Sequence, residues 1–147
     1  MLFISHRGNT NGVNRALENK PEHILTLLKE GLDVEIDAWS IKKNFYLGHD
    51  EPKYPISEKF LKTGHLWIHA KNQEALLRLH KKTNCFYHNV DDVTLTSHNF
   101  MWVYPGKPLI KGCVALLFKD SKYTTNELKT CHAICSDDIL KWKELLS

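Results

Sequence analysis

The sequence predicts an α/β fold built on parallel strands, and two observations carry that prediction. The first is a strand, loop, helix, strand order within residues 2–38. The second is a series of eight short strand candidates, at residues 2–5, 33–38, 66–70, 85–88, 93–96, 101–104, 113–118 and 133–136. Some of the gaps between them are long enough for a helix. A βαβ unit implies a parallel strand pair joined by a right-handed crossover.

Each element has a local cause. Leu2-Phe3-Ile4-Ser5 is a short apolar run that stops at Gly8 and the polar stretch Asn9-Thr10-Asn11-Gly12, as a buried strand followed by a loop does. A helix over 19–30 follows. Asn19 is its expected N-cap, Pro21 lies in the first turn, Ile24, Leu27 and Leu28 form one apolar face, and Gly31 ends it. From Asp33 to Trp39 the chain alternates, with Val34, Ile36 and Ala38 on one face and Asp33, Glu35 and Asp37 on the other. Residues 57–63 make a short helix after Ser57, and residues 73–82 a longer one. Residues 125–130 start from Thr124 with Glu127 three places on, as in a capping box. Residues 137–146 close the chain, with Ile139, Trp142, Leu145 and Leu146 on one face. The stretches 89–92 and 97–100 are too short for a crossover helix.

The chemistry concentrates in the first third: His6-Arg7-Gly8, then Glu35-x-Asp37, then His49-Asp50, each read at the end of a strand. Glu35 and Asp37 share a face about 7 Å apart, at roughly 3.3 Å per residue. Two such carboxylates repel unless water or a cation lies between them, and a hard divalent cation is the natural occupant. Arginine presents a planar fork that holds two phosphate oxygens. Histidines titrate near neutrality and exchange protons with a nucleophile and a leaving group. The next strand, Leu66-Trp67-Ile68-His69-Ala70-Lys71, puts His69 and Lys71 on one face.

These motifs, with Glu18-Asn19 between them, resemble the series found in glycerophosphodiester phosphodiesterases, within the wider superfamily of phospholipase C-like phosphodiesterases. The resemblance covers residues 1 to about 72 and thins beyond. It implies a (β/α)8 TIM-type barrel with its site at the C-terminal ends of the strands, and a phosphoric diester hydrolase activity. His6 and His49 would be the general acid and base, and Arg7 and Lys71 the phosphate contacts. Glu35, Asp37 and the residue at position 69 would bind the cation, with Glu18 and Asp50 in support. The family has Glu-x-Lys at the third strand, so His69 is a departure. Imidazole suits Zn, Mn, Fe or Ni better than Ca or Mg. The resemblance implies a divalent cation drawn from Mg, Ca, Mn or Zn, and His69 leaves its identity open. Two alternatives stand beside metal-assisted hydrolysis: a metal-independent, phospholipase C-like diesterase, and a degenerate barrel that binds a phosphorylated ligand without turnover.

The second half offers weaker candidates. His88 ends a strand, Asp91-Asp92 follow, and His98, Trp102 and Tyr104 lie near further strand ends. Ile134-Cys135-Ser136-Asp137 resembles the family's last strand, where a Thr-Asp pair sits, but Ser136 is read as the cap of the final helix. A full barrel takes about 250 residues, so 147 residues predict a single reduced barrel domain over 1–147 with several outer helices missing or shortened. A barrel face without its helix exposes apolar surface, which favours a homo-oligomer.

Composition bounds the partners. Apolar content of 42% and charged content of 25% fit an ordinary globular protein with a real core. A net charge of +3 gives no reason to expect nucleic acid, and the expected partner is a small phosphodiester. No apolar run is long enough to span a membrane, and no signal peptide pattern precedes the first strand, which predicts a cytoplasmic protein. Cys85, Cys113, Cys131 and Cys135 form no Cys-x-x-Cys pair and are expected to be buried free thiols.

Overall fold

The computed structural model describes residues 1–147. In chain order its elements are β1 (Leu2–His6), α1 (Pro21–Lys29), β2 (Asp33–Ile41), β3 (Asn44–Leu47), β4 (Tyr54–Ile56), α2 (Glu58–Leu61), β5 (Leu66–Ala70), α3 (Gln73–Leu79), β6 (Cys85–Phe86), β7 (Val93–Leu95), β8 (Met101–Val103), β9 (Val114–Leu117), α4 (Thr125–Leu128), β10 (Ala133–Ser136) and α5 (Ile139–Leu146). The fold is mixed α/β with a ten-stranded sheet.

Seven strands pair in parallel, in the order β6-β5-β2-β1-β10-β9-β8. β7 is added antiparallel to β8. The hairpin β3–β4 lies antiparallel against the far end of β2. The edges β6 and β7 share no ladder. Loop bonds tie them instead: Ser97 N–H donates to the Cys85 carbonyl at 2.8 Å, and the Thr94 hydroxyl to the Tyr87 carbonyl at 2.9 Å.

Side-chain parity divides the core into layers. Val34, Ile36, Ala38, Ile68 and Ala70 point outward and pack under α1, α2 and α3 through Ile24, Leu27, Leu61, Ala75 and Leu79. Ala115, Leu117 and Ile134 point outward under α4 and α5, where they meet Leu128 and Ile139. The opposite face closes on itself through Ile4, Trp67, Phe86, Trp102, Val114, Leu116, Ala133 and Cys135. Phe86 stacks on Trp102 with centroids 4.5 Å apart, and Trp67 meets Trp102 at 6.0 Å. The sheet is thus curled so that strands from its two ends touch across one apolar interior.

Several sequence expectations need correction. The segment read as a strand over 93–96 is antiparallel, because residues 96–100 turn directly back into β8 and Asn99 takes a positive φ of 66°. β3 and β4 were not expected. β2 turns back into β3 at Lys42-Lys43, with φ of 47° and 70°, a primed hairpin geometry without the Asn-Gly signature that announces it. His49 consequently follows a hairpin strand rather than ending a strand of the parallel series. Asn19 is not the N-cap of α1. Lys20 holds that position without a side-chain cap, and Pro21 opens the helix as expected. Ser136 accepts from the Asp138 N–H at 3.2 Å, whereas α5 starts at Ile139, so Ser136 closes a local turn and Asp138 is the cap residue. All four cysteines are free and buried. No helix is long and apolar enough to cross a membrane.

Candidate active site

Seven parallel strands run to one rim, and alternation sends an inward-facing side chain of each, at or near its end, into the same space. These are His6 from β1, Asp37 from β2, His69 from β5, His88 after β6, Tyr104 after β8, Phe118 after β9 and Asp137 after β10. The hairpin β3–β4 then carries His49 back over Asp37. Gly48 makes this possible. Its φ is 150°, and a Cβ there would collide with the Glu51 carbonyl oxygen and crowd Lys53 N at 3.1 Å. The Gly48 N–H donates to the Asp37 carbonyl at 3.1 Å, and the Trp39 indole donates to the Gly48 carbonyl at 2.6 Å.

Asp37 is the centre of the cluster and is fully buried. Its Oδ2 accepts from Asn19 Nδ2 at 2.9 Å and lies 3.3 Å from both Arg7 Nε and His49 Nδ1. Its backbone N–H donates to Asn19 Oδ1 at 2.8 Å, so Asn19 clamps the residue with both amide atoms. Arg7 and Asn19 both hold left-handed backbone, φ 55° and 57°, and the Asn19 N–H donates to the Arg7 carbonyl at 2.9 Å. Strained backbone of this kind persists only where surrounding contacts hold it. The second oxygen, Oδ1, lies 3.1 Å from His69 Nδ1 and 3.5 Å from Lys71 Nζ without an aligned hydrogen bond to either. Burial would raise the pKa of Asp37. The imidazoles of His49 and His69 and the Arg7 charge outweigh it and hold the carboxyl well below its ordinary value.

Glu35, one pleat earlier, differs. Its Oε2 accepts from the Arg7 backbone N–H at 3.2 Å and lies 3.9 Å from His6 Nε2. Burial and the neighbouring Asp37 charge raise its pKa above the ordinary carboxylate value. His6 is anchored on its other side: Nδ1 meets Asp137 Oδ1 at 2.8 Å, which leaves Nε2 toward the cluster. Burial opposes a charged His6, yet the Asp137 hydrogen bond and the Glu35 charge raise its pKa. Burial would likewise raise Asp137, but the bond and charge of His6 lower it. Asp137 also accepts from Asn9 Nδ2 at 2.8 Å.

The fold therefore brings together His6, Arg7, Glu35, Asp37, His49, His69 and Lys71. Lys71 Nζ also lies 3.4 Å from His49 Nδ1. Of the supporting candidates, Glu18 accepts from Asn9 at 2.9 Å and lies 4.0 Å from Arg7 Nη1. The Asp50 side chain is 81% exposed and 3.7 Å from His49 Nε2, too far to orient that ring by a hydrogen bond. His98 does not join the site, because its turn lies at the opposite end of the strands, beside Asp33, Lys62 and His65. Sequence reasoning missed Asp137 and Asn9 as members, and gave Asn19, though part of the motif series, only the role of a helix cap. For Asp137 the signal was present in the Ser136-Asp137 pair and was assigned to a helix cap instead. For Asn9 and Asn19 no local signal separates a clamp from a turn or cap residue.

Glu35, Asp37 and His69 each offer one ligand atom, and these atoms lie within 4.8 Å of one another. The donor set fits a divalent cation, since Asp37 Oδ1 is a buried carboxylate oxygen with no hydrogen-bond partner. Two oxygens and one imidazole nitrogen suit Mn or Zn better than Ca. Beside the cluster lies a cavity of about 240 Å³, bounded on its far side by Phe86, His88, Trp102, Tyr104 and Phe118. Compared with protein-family models, curated proteins and solved structures, the chain matches none.

Proposed function

We propose that this chain hydrolyses a small phosphodiester, such as a glycerophosphodiester, by histidine general acid–base catalysis assisted by a divalent cation, on a sheet curled into a reduced (β/α)8 TIM-type barrel. One observation carries the reading. Two imidazoles are each held by a carboxylate, His6 by Asp137 at 2.8 Å and His49 by Asp37 at 3.3 Å, around the cations of Arg7 and Lys71. The barrel reading is supported by the single rim of seven parallel strand ends and by the inner face that packs against itself.

The roles follow from charge. A phosphodiester is an anion, so an approaching nucleophile is repelled until the phosphate charge is offset. Arg7 and Lys71 supply that offset, and Arg7 also orients the phosphate through its planar fork. One imidazole takes a proton from the nucleophile and the other gives one to the departing alkoxide, which keeps both steps near neutral pH. A cation held by Glu35, Asp37 and His69 would polarise a phosphoryl oxygen and lower the pKa of a bound water or hydroxyl. The departure at His69 leaves the cluster one negative charge lighter than three carboxylates.

A second reading, hydrolysis without a metal, has its own support. Arg7 and Lys71 lie 3.3 Å and 3.5 Å from the two oxygens of Asp37, so two side-chain cations already face that buried carboxylate. Turnover of a panel of glycerol, inositol, choline and saccharide phosphodiesters, before and after exhaustive chelation, separates the readings. Activity lost on chelation and restored by Mn or Mg favours the metal. Undiminished activity favours the second reading. No turnover across the panel overturns both and leaves a barrel that only binds phosphorylated ligands.

A further inference from the structure

Two of the four buried thiols are neighbours. Cys113 Sγ and Cys131 Sγ lie 3.7 Å apart, 18 positions apart in the chain, and either can donate its hydrogen to the other. The backbone builds this contact. The Gly112 N–H donates to the Thr130 carbonyl at 2.9 Å, and the His132 N–H to the Cys113 carbonyl at 2.8 Å. These bonds carry the parallel pairing of β9 and β10 past its first register pair, Val114 with Ala133. The two cysteines therefore mark the start and the end of one connection, which holds β9 and α4. The other two thiols lie elsewhere. Cys85 packs in the core under α1, α2 and α3, and Cys135 on the inner face with Trp102, whereas Cys113 and Cys131 share the core under α4 and α5.

A metal does not account for the pair. Side chains able to share an ion in threes meet at the rim alone, and two sulfurs are half of a tetrahedral zinc site. The contact does change thiol chemistry. The thiolate is the reactive form of cysteine. Burial raises Cys85 and Cys135 above the ordinary thiol value and keeps them protonated. In the pair, the hydrogen bond from Cys131 holds Cys113 down to about 7, and the same contact raises Cys131. One proton thus leaves the pair readily and the other is held between two sulfurs. Cys131 keeps 7% of its surface exposed and Cys113 none, so a small oxidant meets Cys131 first.

We propose that Cys113 and Cys131 are a redox modification site, which a hydroperoxide converts to a reversible disulfide that closes the connection through β9 and α4 into a covalent loop. The held proton passes to Cys113, and the Cys131 thiolate attacks one peroxide oxygen. The O–O bond breaks, hydroxide or alkoxide leaves and takes a proton from solvent, and Cys131 becomes a sulfenic acid. Cys113 then attacks that sulfur. The S–O bond breaks, and the Cys113 proton leaves with the hydroxide as water. Each sulfur has lost one electron and the peroxide has gained two. A small thiol such as glutathione restores the pair by exchange. The cysteines lie at the end of β9 and β10 away from Phe118 and Asp137, so the bond fastens the sheet without moving the rim. Its effect is on stability, because a cross-link restricts the unfolded chain.

The test treats the reduced wild-type protein with equimolar hydrogen peroxide, blocks the remaining thiols with iodoacetamide and maps non-reduced tryptic peptides by mass spectrometry. The expected result is loss of two of the four thiols and one linked pair, Cys113 with Cys131, with Cys85 and Cys135 alkylated. The oxidised protein should melt higher by roughly 5–10 °C, and dithiothreitol should return it to the starting midpoint. Cys85→Ala should form the same link, and Cys131→Ala should form none. Where a variant fails to fold, the wild-type map decides. Four intact thiols, a link through Cys85 or Cys135, or two thiols lost with no linked peptide each overturn the site. A correct link with an unchanged or lower midpoint overturns the stabilising role.

Discussion

Residues 1–72 and residues 73–147 supply the same rim with opposite chemistries. The first half contributes nearly all the charge: His6, Arg7, Glu35, Asp37, His49, His69 and Lys71, packed so densely that Asp37 alone faces four basic groups. The second half contributes an aromatic wall, with Phe86, Trp102 and Tyr104, and a single carboxylate that reaches across, Asp137. A cluster of buried charge needs neighbours that exclude water and do not compete for its ligands, and an apolar wall does both. The difference teaches that one half gathers the buried charge and the other encloses it.

The largest expected effects break the comparison on its charged side. His6→Ala and His49→Ala should each lower turnover of a glycerophosphodiester by about 10²–10⁴-fold, the usual contribution of a positioned acid or base. Far-ultraviolet circular dichroism should be unchanged in both. His98→Ala, at the opposite end of the strands, should retain full activity, and a loss there equal to that of His6→Ala would remove the assignment.

On the aromatic side the loss should appear as stability. Trp102→Ala empties the centre of the inner cluster and should cost about 3–5 kcal/mol in chemical denaturation, with a cavity left between Trp67 and Phe86. A cost below about 1 kcal/mol would mean that the inner face does not close on itself in solution.

Asp137 sharpens the comparison because it belongs to the second half and acts on the first. His6, with its pKa raised above 6.5, stabilises the fold fully below that pH and loses the contribution as pH rises through its folded value. Asp137, lowered below 3.8, stabilises fully above that pH and loses the contribution as pH falls through its own folded value. The pair is thus strongest between pH 3.8 and 6.5. Asp137→Asn should cost about 1–3 kcal/mol in that window and less as His6 deprotonates above it. A pH-independent cost would show that the pair is not ionic. The smallest effect is local to the second half: Thr124→Ala removes the capping box of α4, in which Glu127 Oε2 accepts from the Thr124 N–H at 2.7 Å. It should cost about 1 kcal/mol in thermal unfolding with no change in turnover.

What could be read from the chain depended on how locally it was written. Alternation placed Glu35 and Asp37 on one face and Val34, Ile36 and Ala38 on the other, and the structure has them so. The capping box at Thr124 and the helix-opening Pro21 are equally local. The Lys42-Lys43 hairpin was invisible because neither residue favours the positive φ it adopts, and register with β2 imposes it. Asn19 read as a cap for a similar reason. The same amide serves a helix start or an aspartate, and only the position of Asp37 decides between them.

By itself, then, the sequence determined the α/β class, the parity of the strands and the group of acidic and basic residues that face one way. These follow from side-chain periods of two and 3.6, which neighbouring residues impose without help from the rest of the chain. The tertiary structure alone decided that Asp137, 131 residues away, anchors His6, that a hairpin returns His49 to Asp37, and that the aromatic wall closes opposite the charges. Each of these requires distant segments to meet. The partners are chosen by how the sheet curls and which faces bury together, and no local pattern encodes that choice.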